Sequence, residues 1–371
     1  MIWFLACVKN EPPREIAALP AVVEEAPPPP VARPDPLPGW RSGFTSAPAL
    51  GQRVAEAWGF TLGGPITEPI AGDTLGPGGG QAFAVADGRL VAFSADGKRG
   101  WEARIDARGG PYLLDSSVIV GSDDGRVHWV DRATGKDSSA TGPGSAVVGR
   151  VAPVDGGFAW VTAGGQVSST AGWNVPTSVV PSGRAAADGS TVYFASTDGK
   201  LHAAGPRGLA WSCPLPAPPV DGPALDAERA YVSYGARGGE PGGVVAIWRV
   251  GADAGKEAWR FPTGFAPEAA PAVHEAVYVP DKDGTVYALD PVSGGQLWTA
   301  EGYGEFLTQP VIAGKTLYVG NSDGALYAID SFDGGVDWKL QLGAPVTAGP
   351  ALLGDGMVVG LANGRVVGLR P

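Results

Sequence analysis

A repeat of about 40 residues is the feature that most restricts how this chain can fold. It places a turn dipeptide at regular intervals, in Asp283-Gly284, Asp323-Gly324 and Asn363-Gly364. Short alternating apolar segments flank each dipeptide, such as Ala276–Val279 before the first and Thr285–Leu289 after it. This pattern predicts a β-hairpin, and we expect a type I′ turn because both central residues of such a turn need positive φ.

Equivalent turns extend the repeat towards the N-terminus. They lie at Asp87-Gly88, Asp124-Gly125, Gly164-Gly165, Asp198-Gly199 and, after a glycine-rich insertion from Gly235, Gly242-Gly243. Eight hairpins with a period near 40 and about four short strands per unit are typical of propeller blades. With 58 Gly, 35 Pro and 12 Trp in 371 residues, the sequence predicts an all-β, eight-bladed β-propeller of four-stranded antiparallel blades.

The outer strand of each unit carries a family resemblance. Ala288-x-Asp290-xxx-Gly294-xxx-Trp298 and the same spacing from Ala328 to Trp338 resemble the PQQ repeat, and the resemblance covers roughly 54 to the end. It implies an eight-bladed propeller in which a tryptophan docks neighbouring blades. We expect that role for the outer-strand tryptophans, which are Trp58, Trp101, Trp173, Trp211, Trp259, Trp298 and Trp338.

The two ends of the repeat region complement each other. The eighth unit has an inner strand and a hairpin but no outer strand, whereas Val54–Leu62 reads as an outer strand with nothing before it. We therefore expect this N-terminal strand to pair into the last blade, with Trp58 beside Val358 and Val366. Such pairing closes the ring and leaves only short, protected sheet edges.

The first seven residues end at Cys7 after an apolar stub and resemble the lipobox of bacterial lipoproteins. We expect 1–7 to be a signal stub with lipidation at Cys7, 8–52 to be a Pro-rich disordered tether, and 53–371 to be a single propeller domain. The protein is then exported and held at the periplasmic face of an outer membrane only by its lipid. A cytosolic protein with an apolar start is the alternative.

Catalytic, cofactor and metal sites are not predicted. The formal charge of −11 disfavours nucleic acid as a partner. His128, His202 and His274 have no second ligand at metal-site spacing, and Cys213 is the only cysteine besides Cys7. No nucleophile elbow, His-Glu-x-x-His or phosphate loop occurs.

The PQQ-repeat resemblance also suggests a second function, that of a quinone-dependent dehydrogenase. Such an enzyme implies adjacent cysteines and a calcium site. The chain has no Cys-Cys pair, and its acidic residues cluster in turns. A propeller on a lipid and a Pro-rich tether resembles instead the BamB family of the outer-membrane β-barrel assembly machinery. That resemblance implies a monomeric, non-catalytic scaffold that binds other proteins, with the barrel insertase as one partner. An exported scaffold or ligand sensor with another partner is the alternative, ahead of a PQQ-dependent quinoprotein dehydrogenase.

Overall fold

The structure is a computed structural model that describes residues 44–45, 49–51, 54–73, 80–140 and 144–371. In these ranges the regular elements are 33 β-strands, which form eight sheets. Each sheet has four antiparallel strands; in seven sheets these follow one another in sequence, one of these seven has a short fifth strand at its inner edge, and the eighth takes its outer strand from the N-terminal part of the chain. The eight-bladed, all-β prediction is therefore confirmed. Across the described part of the chain, no helix is long and apolar enough to cross a membrane.

The strands are numbered in chain order, and the four strands of each blade are called A to D from the centre outwards. Two strands precede the first complete blade: β1 (Phe44–Thr45) and β2 (Ala55–Thr61). Blades 1 and 2 contain β3 (Ala71–Gly72), β4 (Gln81–Ala86), β5 (Arg89–Ser94), β6 (Arg99–Arg104), β7 (Ala107–Leu113), β8 (Ser117–Ser122), β9 (Val127–Asp131) and β10 (Asp137–Ala140). Blades 3 and 4 contain β11 (Val147–Val154), β12 (Gly157–Thr162), β13 (Gln166–Ser169), β14 (Asn174–Pro176), β15 (Ala186–Asp188), β16 (Thr191–Ser196), β17 (Lys200–Gly205) and β18 (Gly208–Pro214).

The second half of the ring continues in the same order. Blades 5 and 6 contain β19 (Ala224–Leu225), β20 (Arg229–Tyr234), β21 (Gly243–Trp248), β22 (Glu257–Pro262), β23 (Ala272–Val273), β24 (Val277–Pro280), β25 (Thr285–Leu289) and β26 (Gln296–Glu301). Blades 7 and 8 contain β27 (Val311–Ala313), β28 (Thr316–Gly320), β29 (Ala325–Asp330), β30 (Val336–Gln341), β31 (Val346–Leu353), β32 (Gly356–Leu361) and β33 (Arg365–Arg370).

The missing outer strand of blade 8 is β2. It pairs antiparallel with β33, from Ala55 opposite Arg370 to Thr61 opposite Arg365. Trp58 packs against a buried cluster that contains both Val358 and Val366. The predicted closure of the ring by its N-terminal strand is thus present. At the inner edge of blade 7, β1 pairs in parallel with β27.

The hydrophobic core is divided among the blade junctions. Eight buried clusters occur in the described residues, and each joins side chains of two successive blades. Strand B of blades 5, 6 and 7 contributes one fully buried tyrosine each, at Tyr231, Tyr278 and Tyr318. Because every blade buries apolar surface only against its neighbours, the ring is stabilised by the sum of its junctions.

The turns at Gly284, Gly324 and Gly364 are not of the predicted type I′. Gly284, Gly324 and Gly364 have φ values of +85°, +79° and +79°, but the residue before each lacks positive φ. The loops have three residues, with Gly284 N–H donating to Asp281 O at 3.4 Å, which is a type I turn followed by a left-handed glycine. The Asp283 carboxylate accepts a hydrogen bond from Thr285 N–H at 2.9 Å. This side-chain bond, rather than a positive φ, accounts for aspartate at this position of the turn.

Two other predicted turns have opposite outcomes. Only Asp87-Gly88 has the predicted type I′ conformation, with φ values of +50° and +69° between paired residues of β4 and β5. The prediction of a turn at Gly242-Gly243 is wrong, because Gly243 begins β21 opposite Tyr234. The chain turns instead at Gly238-Gly239, where both φ values are positive.

Candidate functional site

The predicted docking tryptophans share one geometry at most junctions. Their indole N–H groups donate to backbone carbonyls of the next blade: Trp58 to Ala95 at 2.7 Å, Trp101 to Arg132 at 2.8 Å, Trp259 to Pro291 at 3.0 Å and Trp298 to Ser331 at 3.3 Å. The indole rings of five tryptophans, including Trp211, lie against glycines of positive φ in the adjacent turns, which are Gly97, Gly135, Gly255, Gly294 and Gly334. A Cβ on any of these glycines would lie within 3.1 Å of the indole, so the motif glycine provides room for the ring.

Two predicted tryptophans are placed differently. Trp173 lies in the turn before β14 rather than in the strand, and it packs partly buried against the cluster between blades 3 and 4. Trp338 lies on β30 with its ring 5.8 Å from that of Tyr318. Leu50 and Val54 pack against the same cluster, so residues preceding β2 cover this junction.

The histidines and the buried cysteine have structural partners. His128 Nδ1 lies 2.9 Å from Asp137, and His202 lies between Ser196 and Ser212 at 2.9 and 2.8 Å. Cys213 is buried and free. In the described ranges, no group of three or more His, Cys, Asp or Glu residues is arranged to hold a metal ion. Cys7 lies outside the described residues.

The main concave site is the central channel. Strand A or the loop before it contributes lining residues from all eight blades, around a cavity of about 800 Å³. That volume is in the range of sites for small organic ligands. Six acidic or basic side chains line it: Glu68, Arg108, Arg150, Arg184, Asp221 and Glu268.

A polar strut crosses this channel. Arg184 Nε donates to Asp221 at 3.1 Å, and its Nη2 makes a second bond to the same carboxylate. On the other side Arg184 Nη1 donates to Gln309 Oε1 at 3.1 Å, and the Gln309 amide donates to Pro271 O at 2.9 Å. Burial alone would lower the pKa of Arg184, but Asp221 raises it, so the guanidinium stays charged. The strut connects blade 4 to blade 7.

Arg150 lies beside the strut without a carboxylate of its own. In the part of the chain that the structure describes, no acidic group lies within ion-pair distance of it. Its guanidinium carbon lies 5.0 Å from the centroid of the Tyr112 ring. Burial, together with repulsion from Arg184, lowers the pKa of Arg150. Burial also raises the pKa of Glu68, against the opposing charges of Arg184 and Arg108.

Glycines bring the inner strands of blades 2 to 5 unusually close at this level. A Cβ on Gly109 would lie 2.0 Å from Gly149 O, and a Cβ on Gly222 would lie 1.7 Å from Arg184 O. Side chains other than hydrogen cannot fit at these positions. The close approach holds Arg150 on β11 beside Arg184 in the loop before β15, and both residues line one cavity.

A second candidate surface is the face formed by the D-to-A connections between blades and the B-to-C turns, here called the connection face. Phe265 and Tyr303 lie in the two connections that flank blade 6, and 59% and 75% of their surfaces are exposed. A hydrogen bond from a backbone N–H to a side chain fixes each loop: Phe265 N–H donates to the Asp281 carboxylate at 3.2 Å, and Tyr303 N–H donates to Tyr327 Oη at 3.0 Å. The aromatic groups are therefore presented on rigid loops.

The carboxyl group behind Phe265 is itself unusual. Asp281 is fully buried, and burial together with a hydrogen bond shared with Asp283 raises its pKa to about 7. The equivalent position in the next blade is Asn321, which is also fully buried and donates its amide to Tyr303 O. The two blades thus use an acid and its neutral isostere to hold the preceding connection, the acid as an acceptor and the amide as a donor.

Neither surface was predicted from the sequence. The channel residues had one local signal, the pairing of arginine with glycine in Arg108-Gly109, Gly149-Arg150 and Gly183-Arg184. That signal becomes meaningful only once the inner strands are aligned. The exposed Phe265 and Tyr303 lie in loops of variable sequence and had no signal.

Comparisons with known proteins agree with this architecture. A family model described as "Outer membrane protein assembly factor BamB" matches residues 49–141 and 242–371, which is more than half of the chain. No curated protein sequence matches the chain. Among solved structures, the computationally designed Ika8 protein has a TM-score of 0.69 at 16% identity, over 89% of this chain and 100% of that one. BamB from Moraxella catarrhalis has a TM-score of 0.66 at 17% identity, over 86% and 98% respectively. At these identities the two structures support the fold alone.

Proposed function

We propose, from the premise that this chain belongs to the family of the outer membrane protein assembly factor BamB, that it is a non-catalytic scaffold for another protein. The observation that carries the proposal is the family match, which spans blades 1 and 2 and most of blades 5 to 8. The barrel insertase of an outer membrane is the partner that we propose. A lipid on Cys7 would hold the propeller at the periplasmic face of that membrane.

The connection face supplies a suitable docking surface. Aromatic side chains on rigid loops are the residue type that most often dominates binding energy at protein interfaces. Phe265 and Tyr303 flank the same blade, and Lys339 lies 4.9 Å from the centroid of the Tyr303 ring. A partner that covers blade 6 would bury both aromatic groups at once. Since the loops are held by backbone hydrogen bonds, little ordering entropy opposes binding.

Co-purification tests this proposal. Tagged wild-type protein should retain the barrel insertase from detergent-solubilised outer membranes, and Phe265→Ser with Tyr303→Ser should reduce the retained amount at least about tenfold. Phe332→Ser is the matched control, because Phe332 is 84% exposed in the C-to-D turn of blade 7 on the opposite face. It should retain the insertase fully.

The outcomes separate the parts of the proposal. Equal loss in the two variants would place docking away from the connection face. Absence of the insertase from the wild-type eluate would contradict the proposed partner. Dye reduction after addition of quinone and calcium would contradict the non-catalytic assignment.

A further inference from the structure

One cation of the channel lining, Arg150, has no acidic partner among the described residues. Asp221 pairs with Arg184, Asp123 pairs with Arg108 at 2.7 Å, and Lys282 pairs with Glu268. Of the other two charged groups, burial raises the pKa of Glu68, and neither Glu68 nor Arg150 forms an ion pair within the described residues. Arg150 is then the one cation of the described lining that no carboxylate neutralises.

Hydrogen-bond donors are also in excess at this position. A guanidinium has five N–H donors, and none of those on Arg150 reaches an acceptor among the described residues. Arg184 uses its Nε, Nη1 and Nη2 for Asp221 and Gln309, which leaves two N–H groups with no acceptor in the described part of the chain. Arg150 lies on β11 and Arg184 lies just before β15 in the next blade, and the charge of Arg184 lowers the pKa of Arg150. Several free donors and one guanidinium without an ion pair therefore meet beside the strut.

We propose that this part of the channel, between Arg150 and the Arg184 strut, binds a small monocarboxylate with an apolar body. A carboxylate has two coplanar oxygens that match the fork of a guanidinium. One negative charge balances Arg150, whereas a dianion would be repelled by Asp221. The ring of Tyr112 and the apolar lining residues Val148 and Leu307 offer contacts for the rest of the molecule.

The site lies mostly outside the segments that the family model matches. Arg150, Arg184 and Asp221 fall between residues 141 and 242, which the model leaves unmatched. The proposed carboxylate site therefore combines these residues with Tyr112, Leu307 and Gln309 from the matched segments. It is also independent of the connection face, so it can be tested without any protein partner.

Calorimetric titration of the full chain with benzoate and benzamide tests the proposal. The two probes have the same shape, and only benzoate is charged, so benzoate should bind saturably and benzamide should not. Arg150→Gln should weaken benzoate binding about 10- to 100-fold, the value of a hydrogen bond to a charged group. Arg207→Gln removes the same charge from an exposed turn residue with no ion pair among the described residues, and it should bind like wild type.

A second measurement does not depend on the folding of a variant. Phenylglyoxal should modify Arg150 in the wild-type protein, and saturating benzoate should slow that reaction at least about fivefold, as measured by mass spectrometry of the modified peptide. The proposal would be overturned if benzoate and benzamide bound equally, or if Arg150→Gln and Arg207→Gln lost benzoate affinity equally. It would also be overturned if inorganic phosphate bound more tightly than benzoate, or if benzoate did not protect Arg150. An acetylated dipeptide with a free carboxyl terminus, compared with its amide, separates a peptide end from a small free acid as the source of the carboxylate.

Discussion

Removing the closure strand should destabilise the ring far more than removing the tether. Deletion of 53–62 takes away β2 and exposes the edge of β33, whose Val366, Val367 and Leu369 are at most 1% exposed in the closed ring. The six paired positions between β2 and β33 and the burial of Leu62 together should be worth more than about 5 kcal/mol. Deletion of 11–39 should cost almost nothing.

The Trp58→Ala substitution isolates the anchor of this strand. It removes a 2.7 Å hydrogen bond to Ala95, worth about 1 kcal/mol. It also removes ring contacts to Phe60 and Phe93 at 5.7 and 5.8 Å, worth about 1–2 kcal/mol together. Partial burial of the indole adds about 1 kcal/mol. We expect a total of about 3–4 kcal/mol.

Urea unfolding measures these differences. With a slope of about 3 kcal/mol per molar urea, Trp58→Ala should lower the midpoint by about 1 M, and deletion of 53–62 should lower it further. The tether deletion is the matched control and should unfold with the wild type. Equal midpoints for the two deletions would refute the assignment of β2 as the closure strand.

Three further expectations concern other parts of the chain. Metabolic labelling with a palmitate analogue should modify the wild-type protein, and Cys7→Ser should abolish the label; equal labelling would contradict lipidation at Cys7. Because burial raises the pKa of Asp281 to about 7, the native state binds more protons than the unfolded state between about pH 4 and 7, so stability should fall as pH rises through this window. Asp281→Asn should flatten that fall and stabilise the protein by about 1–3 kcal/mol at pH 8. Thermal unfolding measured across this pH range checks it, and an unchanged pH profile would show that Asp281 does not titrate there. Gly222→Ala should lower the melting temperature strongly, because its Cβ would lie 1.7 Å from Arg184 O. Gly235→Ala is the control and should not, because the nearest atom to its Cβ would be 3.7 Å away. Similar melting curves for the two variants would contradict the close approach of the inner strands.

The fold was predictable because its signals are local and repeated. Five Asp-Gly turns and one Asn-Gly turn of the repeat recur along the chain between alternating apolar strands, and Val54–Leu62 could be matched to the last blade by counting strands. The turn type was not predictable, because Asp283 serves as a side-chain acceptor for Thr285 N–H rather than as a residue of positive φ. Gly242-Gly243 was mistaken for a turn because the insertion contains several glycines, and only strand register distinguishes them.

The channel was not predictable for a different reason. Arg150, Arg184, Asp221 and Gln309 are far apart in sequence and come from blades 3, 4, 5 and 7. Their convergence depends on the diameter of the ring and on glycines such as Gly222, which allow the inner strands to approach. A periodic pattern predicts that inner strands exist, but it does not predict which side chains meet across the centre.

The position of β2 also determines the order in which the molecule can fold. During synthesis β2 is made before any complete blade, but its partner β33 contains Arg370, and the pair Ala55 and Arg370 lies more than 300 residues apart. At about 5–20 residues per second, Trp58 and Phe60 would wait roughly 15–60 s for the strand that they cover. Contacts of such separation form late, because the closure entropy of the whole chain opposes them. The blades should therefore stack in chain order as an open arc, and β2, although made before every complete blade, should be the last strand of the ring to pair.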